Sequence, residues 1–219
     1  FNNVRSRTVK ELIIPVLILG ALTLAPPAQR NQTPEQRAER ERQLQEALRA
    51  PRPIEALDSV WIEELTWMEV RDALKAGKTT AIVSTGGVEP NGPYVATGKH
   101  NYVLQGACEG IARALGNALC APIIKLVPEG DIENKSGHMR YPGTISLRQD
   151  TFKAVLTDVA RSLNAHGFNN IVLIGDSGGN QRGLKEVAES LNQRWSDGRA
   201  HFIPEFYAYA DVEKYMEEE

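Results

Sequence analysis

Cysteine is scarce: Cys108 and Cys120 are the only two in 219 residues. Two thiols exclude a disulfide scaffold and an all-thiolate zinc centre. An excess of one charge is missing too. Twenty-five Lys and Arg face 28 Asp and Glu, for a net charge of −3. That excludes a nucleic-acid-binding surface spread over the whole chain, leaving room only for a local basic patch. No repeat or low-complexity tract is present, and no apolar run reaches the roughly 20 residues that cross a bilayer comfortably. What is there is ordinary for a globular protein, 42% hydrophobic and 24% charged residues, which excludes wholesale disorder. The length allows one domain, or at most one and a half at about 150 residues each.

The chain opens on Phe1 rather than Met, so the expected start lies upstream. Arg5, Arg7 and Lys10 precede an apolar run from Leu12 to Ala25, followed by Ala25-Pro26-Pro27-Ala28. Basic, apolar, then small residues is the order of a secretory signal peptide. Residues 1–28 are read as that leader, with a buried helix as the other reading. The expected location is therefore periplasmic or extracellular, with no stable membrane span after cleavage. No Cys follows the run, so no lipoprotein anchor is indicated. Residues 29–58 read as a charged helix and a proline linker. Thr33 suits the cap, Pro34 the first helical position, and Pro51 and Pro53 end it.

Residues 59–219 carry the folded domain. Helical patterns over 65–76, 101–119, 150–166, 181–195 and from Val212 alternate with apolar, β-branched runs over 79–85, 121–127, 170–175 and 201–209. Strands separated by helices imply an α/β fold, a mostly parallel sheet with helices on both faces. If Cys108 and Cys120 share one helix and its exit, twelve steps of about 1.5 Å put them roughly 18 Å apart. A disulfide needs less than about 7 Å. Two separate buried thiols are therefore expected.

Ligands of parallel sheets bind beyond the carboxyl ends of the strands, and three segments fall there. The first, Gly86 to Tyr94 with His100 beyond, offers Glu89, Asn91 and His100 as oxygen and nitrogen donors suited to a divalent transition metal. A surface loop with a capping Glu has the same composition. The second, Gly137 to Thr144, contains His138, which can polarise a substrate or move a proton; a hydrogen-bonded loop His is equally consistent. The third is Gly175-Asp176-Ser177-Gly178-Gly179-Asn180. It matches the nucleophile-elbow pattern G-x-S-x-G, yet only Asp197 and His201 follow as triad partners, poorly spaced. It also matches the nucleophile segment of chymotrypsin-like proteases, whose double β-barrel the alternating pattern contradicts. A glycine turn that brings Asp176 or Ser177 to a shared site is a third reading.

The order of these segments resembles the creatininase family of metal-dependent amidohydrolases, from about Trp61 to Tyr209. The helix start Leu65-Thr66-Trp67-Met68-Glu69-Val70 is similar to the family's entry helix. The family's metal loop, Glu-Gln-His-Gly-Pro-His-Leu-Pro followed by Asp, here reads Glu89-Pro90-Asn91-Gly92-Pro93-Tyr94-Val95-Ala96, with His100 where Asp is expected. His138 and Pro142-Gly143-Thr144 resemble its His and Pro-Gly-Thr. Gly167-Phe168 resembles its Gly-Phe before a strand. Ser177-Gly178-Gly179-Asn180 resembles its His-Gly-Gly-Asn turn.

The resemblance implies a creatininase-like α/β/α fold and hydrolysis of an amide-like C–N bond in a small-molecule substrate. It also implies a divalent metal, zinc or manganese, and a homo-oligomer. Of the family's ligands in these segments only Glu89 stands unchanged. Asn91 and Ser177 replace His, His100 replaces Asp, and the family's late Glu-containing segment is not found before Glu219, as in a chain truncated at its C-terminus. The metal set expected is Glu89, His100 and Asp176 with Asn91 or Ser177 as a weak or outer partner, and His138 contacts the substrate. Two alternatives stand beside it: a non-catalytic binding module or inactive paralogue on the same fold, and a serine hydrolase using Ser177.

Overall fold

The computed structural model describes residues 33–218; the leader read at residues 1–28 lies outside them. The chain divides after Ala50 into two units. In the first, Thr33 caps α1 (Pro34–Arg49), which buries no residue. This is the charged helix expected from its lack of apolar positions.

The second unit, from Pro51 on, is built on four parallel strands: β1 (Thr80–Thr85), β2 (Ala118–Cys120), β3 (Asn170–Gly175) and β4 (Arg199–Phe202), in the order β2-β1-β3-β4. In register, Thr80 lies opposite Ala118 on one side and Asn170 on the other. Every residue of β1 is buried, as a central strand covered on both faces requires. The flanking helices are α2 (Trp67–Lys75), α3 (Lys99–Leu115), α4 (Gln149–Ala165), α5 (Gly178–Asn192) and α6 (Tyr209–Glu218). α3 packs along β1 and β2, while α5 packs along β3 and β4. The α4 face of Phe152, Leu156 and Ala160 is fully enclosed. Among the described residues, no helix is long and apolar enough to cross a membrane.

Two strands differ from the sequence pattern, each because of a proline. The 121–127 run forms no strand. Pro122 has no N–H to give a ladder, so β2 ends at Cys120, and only isolated bridges, Thr85–Ile124 and Val127–Ser146, carry the chain past the end of β1. The 201–209 run shrinks to a strand ending at Phe202, because Pro204 opens a short 3-10 turn, Pro204–Phe206.

The cysteines are a further correction: Cys108 and Cys120 form a disulfide, with Cα atoms 6.1 Å apart. The helix does not run on to residue 119. Gly116 takes a left-handed conformation (φ 73°), and its N–H caps α3 on Ala112. A residue with a side chain would be strained there. The reversal sends β2 back alongside the helix, so distance along a continuous helix no longer applies.

Going from β1, the chain moves to β2 on one side and later to β3 on the other. The carboxyl ends of β1 and β3 thus form a topological switch point, where parallel sheets open a crevice. Asn180 locks that point. Its buried amide nitrogen donates to the Thr85 carbonyl (3.0 Å), the Thr85 hydroxyl (3.0 Å) and the Gly86 carbonyl (2.9 Å). Asn180→Ala removes all three bonds, and the Thr85 carbonyl keeps only the Asp176 N–H; a denaturant melt should show a loss of about 2–3 kcal/mol, and an unchanged midpoint refutes the lock. Thiol titration of the denatured, unreduced chain should find no reactive cysteine, and Cys108→Ala should lower stability by about 3 kcal/mol. Two titratable thiols per chain overturn the disulfide.

Candidate functional site

The loop after β1 is fixed by its main chain. Asn101, in the first turn of α3, donates from Nδ2 to the Gly87 carbonyl (2.9 Å), and the Gly87 N–H donates back to its Oδ1 (3.3 Å). The Glu89 N–H donates to the Thr97 carbonyl at 2.9 Å. Glu89, 5% exposed, is thereby held facing inward. A Cβ at Gly87 would stand 2.2 Å from Glu129 Oε1, so glycine there makes room for a second carboxyl group.

Four other segments meet Glu89. His100 comes from the first turn of α3, and Asp176 follows β3 directly. Glu129 lies in the connection after β2, braced by its N–H donating to Ser146 Oγ (2.9 Å). His138 comes from the 3-10 turn Gly137–Arg140, and its N–H donates to the Glu129 carbonyl (3.0 Å).

The side chains form a row. His100 Nδ1 is 2.8 Å from Asp176 Oδ2, and His100 Nε2 is 2.7 Å from Glu89 Oε1. The other oxygen of Glu89 is hydrogen-bonded to His138 Nδ1. That nitrogen lies 3.7 Å from Glu129 Oε2, to which Ser177 Oγ donates at 3.4 Å. At the far end, Tyr209 donates its hydroxyl to Asp176 Oδ1 (2.9 Å) and accepts from Lys99 Nζ (2.9 Å).

Burial and pairing drive the titration of these groups apart. For Glu89, burial favours the neutral acid, but hydrogen bonds with His100, Glu129 and His138 outweigh it and bring the pKa down to about 2. For Glu129, burial, the hydrogen bond to Glu89 and that neighbour's negative charge all act the same way, and the pKa rises to about 9. Burial opposes charge on His100, yet hydrogen bonds to Asp176 and Glu89 prevail and raise its pKa. Burial, then the hydrogen bond to Asp176, raises that of Tyr209.

One part of the row suits a cation. Glu89, Glu129 and His138 each offer a ligand atom within 4.8 Å of the others. Glu129 Oε1 is buried with no hydrogen-bond partner among the described residues, a polar atom without the partner that burial ordinarily requires. The side chains of Glu89 and Glu129 are 6% and 2% exposed, while that of His138 is 47% exposed. The group therefore opens on one side, into a cavity of about 660 Å³ that is also lined by Ser177, Gly178, Gly179, Arg148 and Tyr207. Two carboxylates and an imidazole form a donor set for zinc or manganese.

Of the residues singled out in the sequence, Glu89, His100, Asp176, His138 and Ser177 converge here. Asn91 does not join them: its amide nitrogen donates to the main-chain carbonyl of Glu89 (3.2 Å) and so braces the loop. Among the described residues, Ser177 Oγ has no imidazole partner, and His201, exposed on β4, bonds Asn170 instead (3.2 Å). Sequence reasoning misses Glu129, Lys99 and Tyr209. Glu129 had a usable signal, since Pro128-Glu129-Gly130 also follows an apolar run. Tyr209 had none, its segment reading as strand.

Comparison with known proteins agrees with this architecture. A family model for creatininase, described as creatinine amidohydrolase, matches residues 63–219. The creatinine amidohydrolase of Pseudomonas putida is 28% identical over 116 residues, covering 53% of this chain and 44% of that protein. A crystal structure of creatinine amidohydrolase (creatininase) superposes with a TM-score of 0.57 at 24% identity, covering 67% of this chain and 58% of that one. A structure described as "Creatininase Mn" and a mutant described as "Zn-Zn type" each give 0.56 with the same identity and coverage. The chain thus spans about half the length of the relatives it matches. With the parallel sheet and the matched residues together, the chain belongs to the creatininase family.

Proposed function

We propose that this chain is a metal-dependent hydrolase of an amide-like C–N bond in a small molecule, with Glu89, Glu129 and His138 holding one divalent cation. The observation that carries this reading is the pair of buried carboxyl groups, one with an unpartnered oxygen, facing an imidazole at the floor of an open cavity. The relatives named for creatinine hydrolysis and for zinc and manganese forms support the reaction class. The chemistry such a cation supplies when bound is Lewis acidity, which polarises a carbonyl and lowers the pKa of water.

The chain's own groups do the rest. The first turn of α5 lines the cavity with Gly178 and Gly179, and its main-chain N–H groups favour negative charge developing on a carbonyl oxygen. Arg148 and Tyr207 supply donors that orient a polar substrate. With one ring nitrogen given to the cation, His138 on the exposed side of the row has the other left to donate a hydrogen bond to the substrate. The experiment is metal analysis together with a creatinine hydrolysis assay before and after chelation. Turnover lost on chelation and regained with zinc or manganese is expected. Ligand affinity kept after chelation, without turnover, assigns a binding module instead. Labelling of Ser177 by a fluorophosphonate assigns a serine hydrolase.

We further propose that the protein is exported and assembles with copies of itself. The disulfide supports an oxidising compartment. Exposed Tyr94, Tyr141 and Ile145 on adjoining loops support a covered face. The N-terminus of the secreted protein and light scattering of the purified protein test these two points.

Glu129 links the metal to pH. It holds a proton below about 9 and must lose it to ligate, so zinc titrated into metal-free protein at neutral pH should release about one proton per chain. Glu129→Gln should release none from this position and bind at least about tenfold more weakly. Equal affinity removes Glu129 from the ligand set.

Without metal, the folded pKa of Glu129 stands above its unfolded value of 4.5. Between these values the folded chain binds the extra proton, so the contribution of Glu129 is full below 4.5 and is lost as pH rises toward 9. Glu89 has the opposite sign, its contribution being lost as pH falls from 4.5 toward 2. Thermal melts of metal-free protein should show a decline between pH 4.5 and about 9 that Glu129→Gln abolishes. A decline unchanged in the variant overturns the assignment.

A further inference from the structure

Asp176, Glu89 and Glu129 stand in sequence along the row, and the two gaps between them differ. In the first gap lies the His100 ring, one nitrogen 2.8 Å from Asp176 Oδ2 and the other 2.7 Å from Glu89 Oε1. All three side chains are 5–6% exposed. In the second gap, between Glu89 and Glu129, no buried side chain intervenes among the described residues. His138 enters from the cavity side, and Glu129 Oε1 has no partner.

We infer that His100 fills with its own ring a position where a cation would otherwise bridge Asp176 and Glu89, so that each chain takes a single divalent ion, in the Glu89–Glu129–His138 gap. This rests on the metal reading above. Three observations carry it. An ion shared by two carboxylate oxygens holds each at about 2.1 Å, and an imidazole spanning the gap keeps the oxygens too far apart for that. Both oxygens of Asp176 are already in use, Oδ2 by His100 and Oδ1 by the Tyr209 hydroxyl at 2.9 Å, itself held by Lys99 Nζ at 2.9 Å. The ring is also anchored from its own helix turn, where the adjacent Asn101 clamps Gly87 through two hydrogen bonds.

Asp176 and His100 are thus positioning residues. They orient Glu89 so that its remaining oxygen faces the open gap. The ring cancels at most one of the two negative charges, but each oxygen facing it already has a hydrogen-bond partner, so this gap leaves no open ligand position.

The test counts ions rather than turnover. Metal-free full-length protein is dialysed to equilibrium against zinc and, separately, manganese, then analysed by plasma mass spectrometry, with circular dichroism checking the fold. One ion per chain is expected for the unaltered protein. Asp176→Asn should still bind one ion, weakened by no more than the roughly 10–100-fold that loss of a group behind a ligand costs, because Asp176 is not itself a ligand. His100→Asp, which clears the ring and leaves a carboxylate, should take a second ion. Two ions in the unaltered protein, or loss of the single ion in folded Asp176→Asn, overturn this inference and leave the metal reading standing. No ion in the unaltered protein overturns both. If His100→Asp does not fold, the counts for the unaltered chain and Asp176→Asn decide.

Discussion

Burying negative charge at the end of a parallel sheet is the constraint on which the rest of this molecule depends. Asp176, Glu89 and Glu129 are almost sealed from solvent. Carboxylates in such a place must be paired, protonated or bound to a cation. All three remedies bear on one row of side chains. His100 pairs with two of the groups, and protonation of Glu129 relieves its contact with Glu89. The third remedy, a bound cation, fits the gap left between them. Assembly of the site and compatibility with folding are here the same electrostatic problem.

The scaffold serves that row with main-chain geometry. β1 and β3 end side by side, and one asparagine from α5 joins the turns that follow them. A second asparagine, on α3, grips the loop carrying Glu89. Both bonds run from side chain to backbone, so carboxylate placement follows from the sheet rather than from the flexible acids themselves.

Much of this was legible in the sequence, for definite reasons. A buried parallel strand needs unbroken apolar residues, so 79–85 and 170–175 stand out. The helices between them show one apolar face, as in Phe152, Leu156 and Ala160. Glu89, His100 and Asp176 were findable because chemistry gathers beyond strand ends. Glu129 was hidden because Pro-Glu-Gly looks like any turn, and only the fold brings it against Gly87. Tyr209 was hidden because a tyrosine after an apolar run reads as strand, and its partner Asp176 is 33 residues away. The disulfide was misjudged because chain reversal at Gly116 is a three-dimensional event that counting along a helix cannot register.

The disulfide fastens the middle of α3 to the sheet margin. The same helix delivers Lys99, His100 and Asn101 from its opening turn, roughly two turns from Cys108. A rod riveted partway along can neither roll nor slide, so the imidazole at its tip inherits a fixed bearing. Reductant acting at that bond would slacken the rivet and blur the alignment of acids at the other end of the helix.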